Sequence, residues 1–174
     1  SASLTIFPEP VVDQHVFIGT NRNDKLTGTN EADVFYGKNG NDTLIGRGGN
    51  DVFEVRGHAG LDVFNGGAGY DTIRGTAGND LILLKSNQSN LISIEKIDGG
   101  AGRNDAIVGT KGKDNFDFSK IAITGIERIS LGTGDDTILG SKGNDTIAGG
   151  AGQDTVRFKA GHGDDVVLDF DAGR

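Results

Sequence analysis

The sequence predicts an all-β chain: a parallel β-roll, or β-solenoid, in which two short-stranded parallel sheets enclose a thin core. Three observations predict it. A nine-residue unit recurs along most of the chain, each unit carries Asp at its sixth position and an apolar residue at its eighth, and 30 of the 174 residues are glycine. Together they describe a coil that turns on glycine and runs straight for about three residues at a time.

The unit reads G-G-x-G-x-D-x-U-x, with U apolar. A first array runs without a gap over 19–54 as GTNRNDKLT, GTNEADVFY, GKNGNDTLI and GRGGNDVFE. After Val55-Arg56 it resumes as GHAGLDVFN, GGAGYDTIR and GTAGNDLIL, ending at Leu83. A middle pair, GGAGRNDAIV and GTKGKDNFD, occupies 99–117. The last array is LGTGDDTIL, GSKGNDTIA, GGAGQDTVR, then Phe158-Lys159 and AGHGDDVVL. Apolar residues hold the eighth position throughout, from Leu26, Phe35 and Leu44 to Ile147, Val156 and Val167. The two inserts keep strand phase, since Val52–Arg56 and Thr155–Lys159 alternate apolar and polar. Each reads as a strand extended by one inward side chain.

The stretches between arrays look like copies of one widened coil. Ile94-Glu95-Lys96-Ile97 precedes the middle pair and Ile126-Glu127-Arg128-Ile129 precedes the last array, so 91–97 and 121–129 are expected to supply irregular strands. The expected organisation is an N-terminal lead-in over 1–18 and a single roll over 19–174. Its repeats lie at 19–83, 99–117 and 131–168, with widened coils at 84–98 and 118–130. The abrupt end at Arg174 reads as a segment of a longer protein.

Each unit divides into a six-residue turn and a three-residue strand. Glycine supplies positive φ in the turns and lets carbonyls approach one another. Two units complete one coil, so stacking should pair units n and n+2: Asp24 with Asp42, Asp33 with Asp51, Asp42 with Asp62, Asp51 with Asp71, Asp62 with Asp80, Asp136 with Asp154, and Asp145 with Asp165. If each widened coil replaces one half-coil, Asp80 also faces Asp105, and Asp114 faces Asp136.

Such a roll cannot hold itself together by apolar burial. One buried Leu or Phe per strand gives on the order of 2 kcal/mol, while ordering nine residues costs on the order of 1.5 kcal/mol each. Stacked Asp residues add like-charge repulsion. A hard divalent cation answers both problems, because calcium takes six to eight oxygen ligands, carboxylate and carbonyl together, in flexible geometry. Magnesium demands a tighter octahedron, and zinc favours His or Cys.

These repeats resemble the RTX (repeats-in-toxin) family over about 19–173. The resemblance implies a right-handed parallel β-roll with roughly five to nine calcium ions in its turns. It implies ligation by the sixth-position carboxylates of Asp24, Asp33, Asp42, Asp51, Asp62, Asp71, Asp80, Asp105, Asp114, Asp136, Asp145, Asp154 and Asp165. It also implies backbone carbonyls of Gly37, Gly40, Gly46, Gly49, Gly57, Gly60, Gly67, Gly69, Gly78, Gly134, Gly143, Gly150, Gly152 and Gly163. Three departures weaken particular turns. Arg22 and Glu31 replace the fourth-position glycine, which predicts weak or merely capping first turns. Asn104 adds a residue before Asp105, which puts that site in question.

Composition excludes several functions. The net charge of -8 is the wrong sign for a duplex-binding protein. Without cysteine there is no disulfide framework or thiolate centre. No apolar run is long enough to span a membrane, and no signal peptide is visible at the N-terminus. No catalytic constellation is found. His15, His58 and His162 are too scattered for a zinc protease site, with His58 and His162 expected as solvated turn residues. The acidic pairs Asp135-Asp136 and Asp164-Asp165 are explained by repeat register rather than as a glycosidase pair.

The expected function is a calcium-binding structural module of a secreted bacterial protein, exported by type I secretion and folding on calcium outside the cell as a monomer. The alternative is a calcium-dependent polysaccharide-binding or adhesion module at a cell surface, similar in broad pattern to auxiliary modules of alginate-modifying epimerases. Outward Arg56, Arg74, Arg157 and Lys159 would then meet an acidic glycan.

Overall fold

A computed structural model describes residues 14–169 of the chain. Within them eighteen short strands, all paired in parallel, wind into a β-solenoid. The first section is two-sided. Strands β1 (His15–Ile18), β3 (Asp33–Tyr36), β5 (Val52–Glu54) and β7 (Thr72–Arg74) stack on one face. Strands β2 (Lys25–Thr27), β4 (Thr43–Gly48) and β6 (Val63–Ala68) stack on the other. β1 belongs to the stretch expected as lead-in, and pairs with β3 through Phe17 and Phe35. The rest of that lead-in, up to residue 13, lies outside the described residues, as does 170–174.

Successive eighth-position side chains point inward and form columns. Phe17, Phe35 and Phe53 stack face to face with ring centroids 5.0 Å apart, close to the spacing of neighbouring strands. Below them the same column continues as Ile73, Ile97 and Ile123. Phe35, Phe53, Ile73 and Ile97 are all fully buried.

The middle of the chain is three-sided, and the reason is the insert Val55-Arg56. The Val55 N–H donates to the Arg74 carbonyl at 2.8 Å, lengthening the ladder below β5, and Val55 is buried. The long corner then seats an extra strand. The N–H of Leu81 bonds the Gly57 carbonyl at 2.9 Å, so β8 (Leu81–Leu83) starts a new face instead of continuing below β6. β9 (Leu91–Ile92) takes the place below β6, after a 3-10 turn at Ser86–Gln88. β10 (Lys96–Asp98) and β13 (Ala122–Thr124) continue the first face.

The new face grows from β8 through β11 (Ala106–Val108), β14 (Arg128–Ser130), β16 (Thr146–Ala148) and β18 (Val166–Val167). β12 (Asn115–Asp117), β15 (Thr137–Leu139) and β17 (Thr155–Arg157) form its partner. The described roll thus has four sheets rather than two, because one face is handed over to another across the widened coils. Each widened stretch supplies two strands, one continuing the old face and one serving another sheet. Phe158 of the second insert, on the last described coil, is 62% exposed and lines an open cavity with Val156 and Val167.

Candidate metal centre

Every sixth-position Asp lies just before the inward residue of its strand, at the corner where the turn closes. Stacking brings these corners into register, and one hydrogen bond repeats. The main-chain N–H of one Asp donates to Oδ1 of the Asp one coil further on. This links Asp24 to Asp42 at 2.8 Å, Asp33 to Asp51 at 2.9 Å, Asp42 to Asp62 at 2.8 Å and Asp51 to Asp71 at 2.8 Å. It also links Asp80 to Asp105, Asp114 to Asp136, Asp136 to Asp154 and Asp145 to Asp165. Eight of the nine pairings expected from the two-unit coil are present, including both that depended on the widened coils. The added Asn104 is absorbed in its turn and leaves Asp105 in register.

The pairing of Asp62 with Asp80 is overturned. Asp80 Oδ1 instead accepts the Gly57 N–H, because β8 seats below the Val55-Arg56 corner. Asp62 meets Asn90, which is fully buried. The Asn90 amide donates to the carbonyls of Asp62 at 2.8 Å and Leu83 at 3.0 Å, and its oxygen accepts the Lys85 N–H. Two glutamates outside the nonapeptide units also end files. Glu95 accepts the Asp71 N–H at 2.8 Å, and Glu127 accepts that of Asp105 at 2.7 Å. Their signal was present: each stands two residues before an inward Ile, the offset that Asp keeps elsewhere.

The carboxylates sit in poor surroundings for negative charge. Asp33, Asp42, Asp51, Asp71, Asp105, Asp114 and Asp136 are at most 1% exposed. Burial pushes the Asp51 and Asp62 carboxyls up to about 6, helped by the stacked carboxylates on either side of Asp51 and by Asp42 beside Asp62. Burial raises Asp42, Asp71, Asp105, Asp136 and Asp145 in the same direction. Asp24 goes the other way, lowered by the Thr20 N–H and hydroxyl.

Five of these buried groups leave one oxygen without any partner: Oδ2 of Asp42, Asp51, Asp71, Asp105 and Asp136. An orphaned buried carboxylate oxygen is costly, and a cation is what it lacks. Backbone carbonyls crowd the same turns. A Cβ on Gly69 would strike the Gly49 carbonyl, one on Gly60 that of Gly40, one on Gly102 that of Gly78, and one on Gly152 that of Gly134. Gly69, Gly60 and Gly152 also hold positive φ of 141°, 134° and 135°, so these positions are closed to side chains twice over. Among the described residues no three His, Cys, Asp or Glu side chains converge on one point. Any ion here must therefore combine one or two carboxylates with carbonyls, the mixed oxygen set suited to calcium. Gly57 is a poorer donor than expected, since Leu81 already uses its carbonyl.

Position five explains the acidic pairs. Side-chain oxygens of Asn23, Asn41, Asn50, Asp135 and Asn144 each accept a backbone N–H one coil below, at 2.8–2.9 Å. Asp135 and Asp164 thus stand beside the sixth-position file as turn residues. His58 is exposed as expected. His162 is not a solvated residue: it is 8% exposed, with Nδ1 3.2 Å from the Gly140 carbonyl. Of the outward cations, Arg56 and Arg74 both pair with Glu54, while Arg157 and Lys159 are exposed.

A parallel solenoid whose turns carry files of buried, half-satisfied Asp carboxylates faced by carbonyls defines the class: a repeat module built around oxygen-ligated cations. The chain belongs to the RTX calcium-binding nonapeptide repeat family, whose model matches residues 18–53, 56–85 and 122–156, more than half of its length. The unmatched stretch between 85 and 122 holds the first widened coil and the middle pair of units. No curated protein and no solved structure matches the chain. No helix among the described residues is long and apolar enough to cross a membrane.

Proposed function

We propose that this calcium-binding module is a folding switch of a secreted protein, unfolded where calcium is scarce and wound into its roll outside the cell. The observation that carries this reading is the set of five buried carboxylate oxygens with no protein partner. In the metal-free roll they cost free energy, and a calcium ion converts that cost into ligation. The carboxylates of Asp42, Asp51, Asp71, Asp105 and Asp136, with the carbonyls of the glycine turns, are the ligands this reading rests on. Extracellular modules of this chemistry bind calcium at roughly 10⁻⁴–10⁻³ M, far above the level in a bacterial cytosol, so export by type I secretion suits a chain that stays unfolded until it leaves. The role is structural, with no catalytic group of its own.

Far-ultraviolet circular dichroism tests it. Titrating calcium into chelated protein is expected to give a cooperative rise in β signal, and millimolar magnesium is expected to give none. A full β signal in excess chelator would overturn the reading.

A further inference from the structure

The turns of the roll fall into two chemical kinds, and the second residue of each unit decides which. Where that residue is Thr or Ser, the turn closes on its own carboxylate. Thr20 donates its N–H to Asp24 Oδ2 at 2.6 Å and its hydroxyl to the same oxygen at 2.8 Å. Thr29 does the same for Asp33 at 2.6 and 3.1 Å, and Thr76 for Asp80 at 2.5 and 3.0 Å. Thr110 and Ser141 each give an N–H at 2.6 Å to Oδ2 and a hydroxyl to Oδ1, of Asp114 and Asp145 respectively. None of these five Asp residues leaves a buried oxygen without a partner.

In five of the eight remaining units the backbone at the second residue turns left-handed and the carboxylate is left with an orphaned buried oxygen; the units of Asp62, Asp154 and Asp165 leave none. Lys38, Arg47, Gly67, Gly100 and Gly132 have φ of 71°, 83°, 98°, 93° and 106°. They precede Asp42, Asp51, Asp71, Asp105 and Asp136, the same five residues whose Oδ2 is orphaned. Lys and Arg adopt that conformation at a cost, which is what a turn shaped around a ligand would require.

The two kinds are not scattered. Traced by the repeating N–H to Oδ1 bond, the Asp residues form five files: Asp24–Asp42–Asp62, Asp33–Asp51–Asp71, Asp80–Asp105, Asp114–Asp136–Asp154 and Asp145–Asp165. Each begins with a Thr- or Ser-closed turn, and no such turn occurs later in a file. A first turn has no stacked Asp turn before it in its file with which to share an ion, so the hydroxyl and N–H do there what the cation does further along.

We propose that the five Thr/Ser turns are metal-free caps that start each file, and that calcium is confined to the turns after them. This rests on the calcium reading above, and names which turns the ions occupy. Native mass spectrometry of the full chain in calcium counts the ions directly. Asp136→Asn and Asp105→Asn are each expected to lose one ion relative to the unaltered chain. Asp114→Asn and Asp80→Asn, one position earlier in the same two files, are expected to keep the full count. Two files are used so that a variant that fails to fold leaves the other pair to decide. If the unaltered chain binds calcium and Asp114→Asn or Asp80→Asn loses an ion as its neighbour does, the capping proposal is overturned while the calcium reading stands. If the unaltered chain binds no calcium, both fall.

Discussion

The two-sided coils of 15–74 and the three-sided coils that follow solve the same stacking problem with different end pieces. In the first section Asp stacks on Asp, and each added coil brings another half-satisfied carboxylate into a buried file. In the widened section that rule is interrupted. Asn90 stops one file with a neutral amide whose hydrogen bonds are all made within the protein, and Glu95 stops another with a longer carboxylate that reaches the Asp71 N–H from a half-exposed position. The comparison teaches that the nonapeptide makes the coil but does not end it. Where the coil widens, Asn or Glu takes the place of the next Asp and ends the file.

That difference predicts the largest effect, on the pH response of the metal-free chain. The Asp51 and Asp62 carboxyls of the two-sided section are pushed from 3.8 up to about 6 on folding. A group that holds its proton more tightly when folded stabilises the fold while protonated. The contribution is fully present below the unfolded value of 3.8 and is lost as pH rises through about 6. In chelator the chain should therefore show more β signal at pH 4.5 than at pH 7.5. Calcium reverses the sign, because its ligands must be deprotonated, so the calcium midpoint should rise as pH falls below about 6. Circular dichroism along both pH series checks this. A chelated chain whose β signal does not increase on acidification would show that the stacked carboxylates do not oppose folding.

The widened section gives the next effect. Glu95→Ala removes the acceptor for the Asp71 N–H, whose residue is fully buried. Leaving that donor unpaired costs about 1–3 kcal/mol. Glu95→Gln keeps an acceptor and should recover most of the loss. Thermal denaturation in saturating calcium compares the three chains. Equal destabilisation by both variants would assign Glu95 a role through its charge rather than as the end of a file.

Much of this was legible before the fold. The D-x-U offset fixed strand phase, inward columns and eight of nine Asp pairings, because a period of nine with two units per coil leaves little freedom. What stayed hidden was the change of face. Val55-Arg56 reads as one more alternating pair, and nothing in those two residues says that the longer corner will seat β8 and redirect Asp80. Asn90 has no repeat register to betray it, since it stacks one residue out of the D-x-U offset. The five closed turns, by contrast, were written in the second position of their units. They were missed because Thr, Lys and Gly there all look like tolerated departures from glycine until the hydroxyl is seen on the carboxylate.

The smallest predicted effect concerns position within one file. Stacking alone would rank Asp62 above Asp24, since an Asp in mid-roll has neighbours on both sides. The structure moves the centre of that file, because Asp62 is followed by Asn90 and only Asp42 has an Asp on each side. Asp24 heads the file, and both hydrogen bonds to its carboxylate come from Thr20. Asp42 is 1% exposed, has an orphaned oxygen and stands next to a left-handed Lys38. Removing its carboxylate takes away an anionic ligand and breaks the bond from the Asp24 N–H. Removing that of Asp24 loses only the closure of an end turn at an exposed corner. Asp42→Ala should therefore raise the calcium midpoint several-fold, and Asp24→Ala should shift it little. Calcium titrations of the two variants followed by circular dichroism decide it. Equal midpoints would mean that the first turn binds an ion as the second does, and that the Thr20 hydroxyl adds to ligation there instead of replacing it.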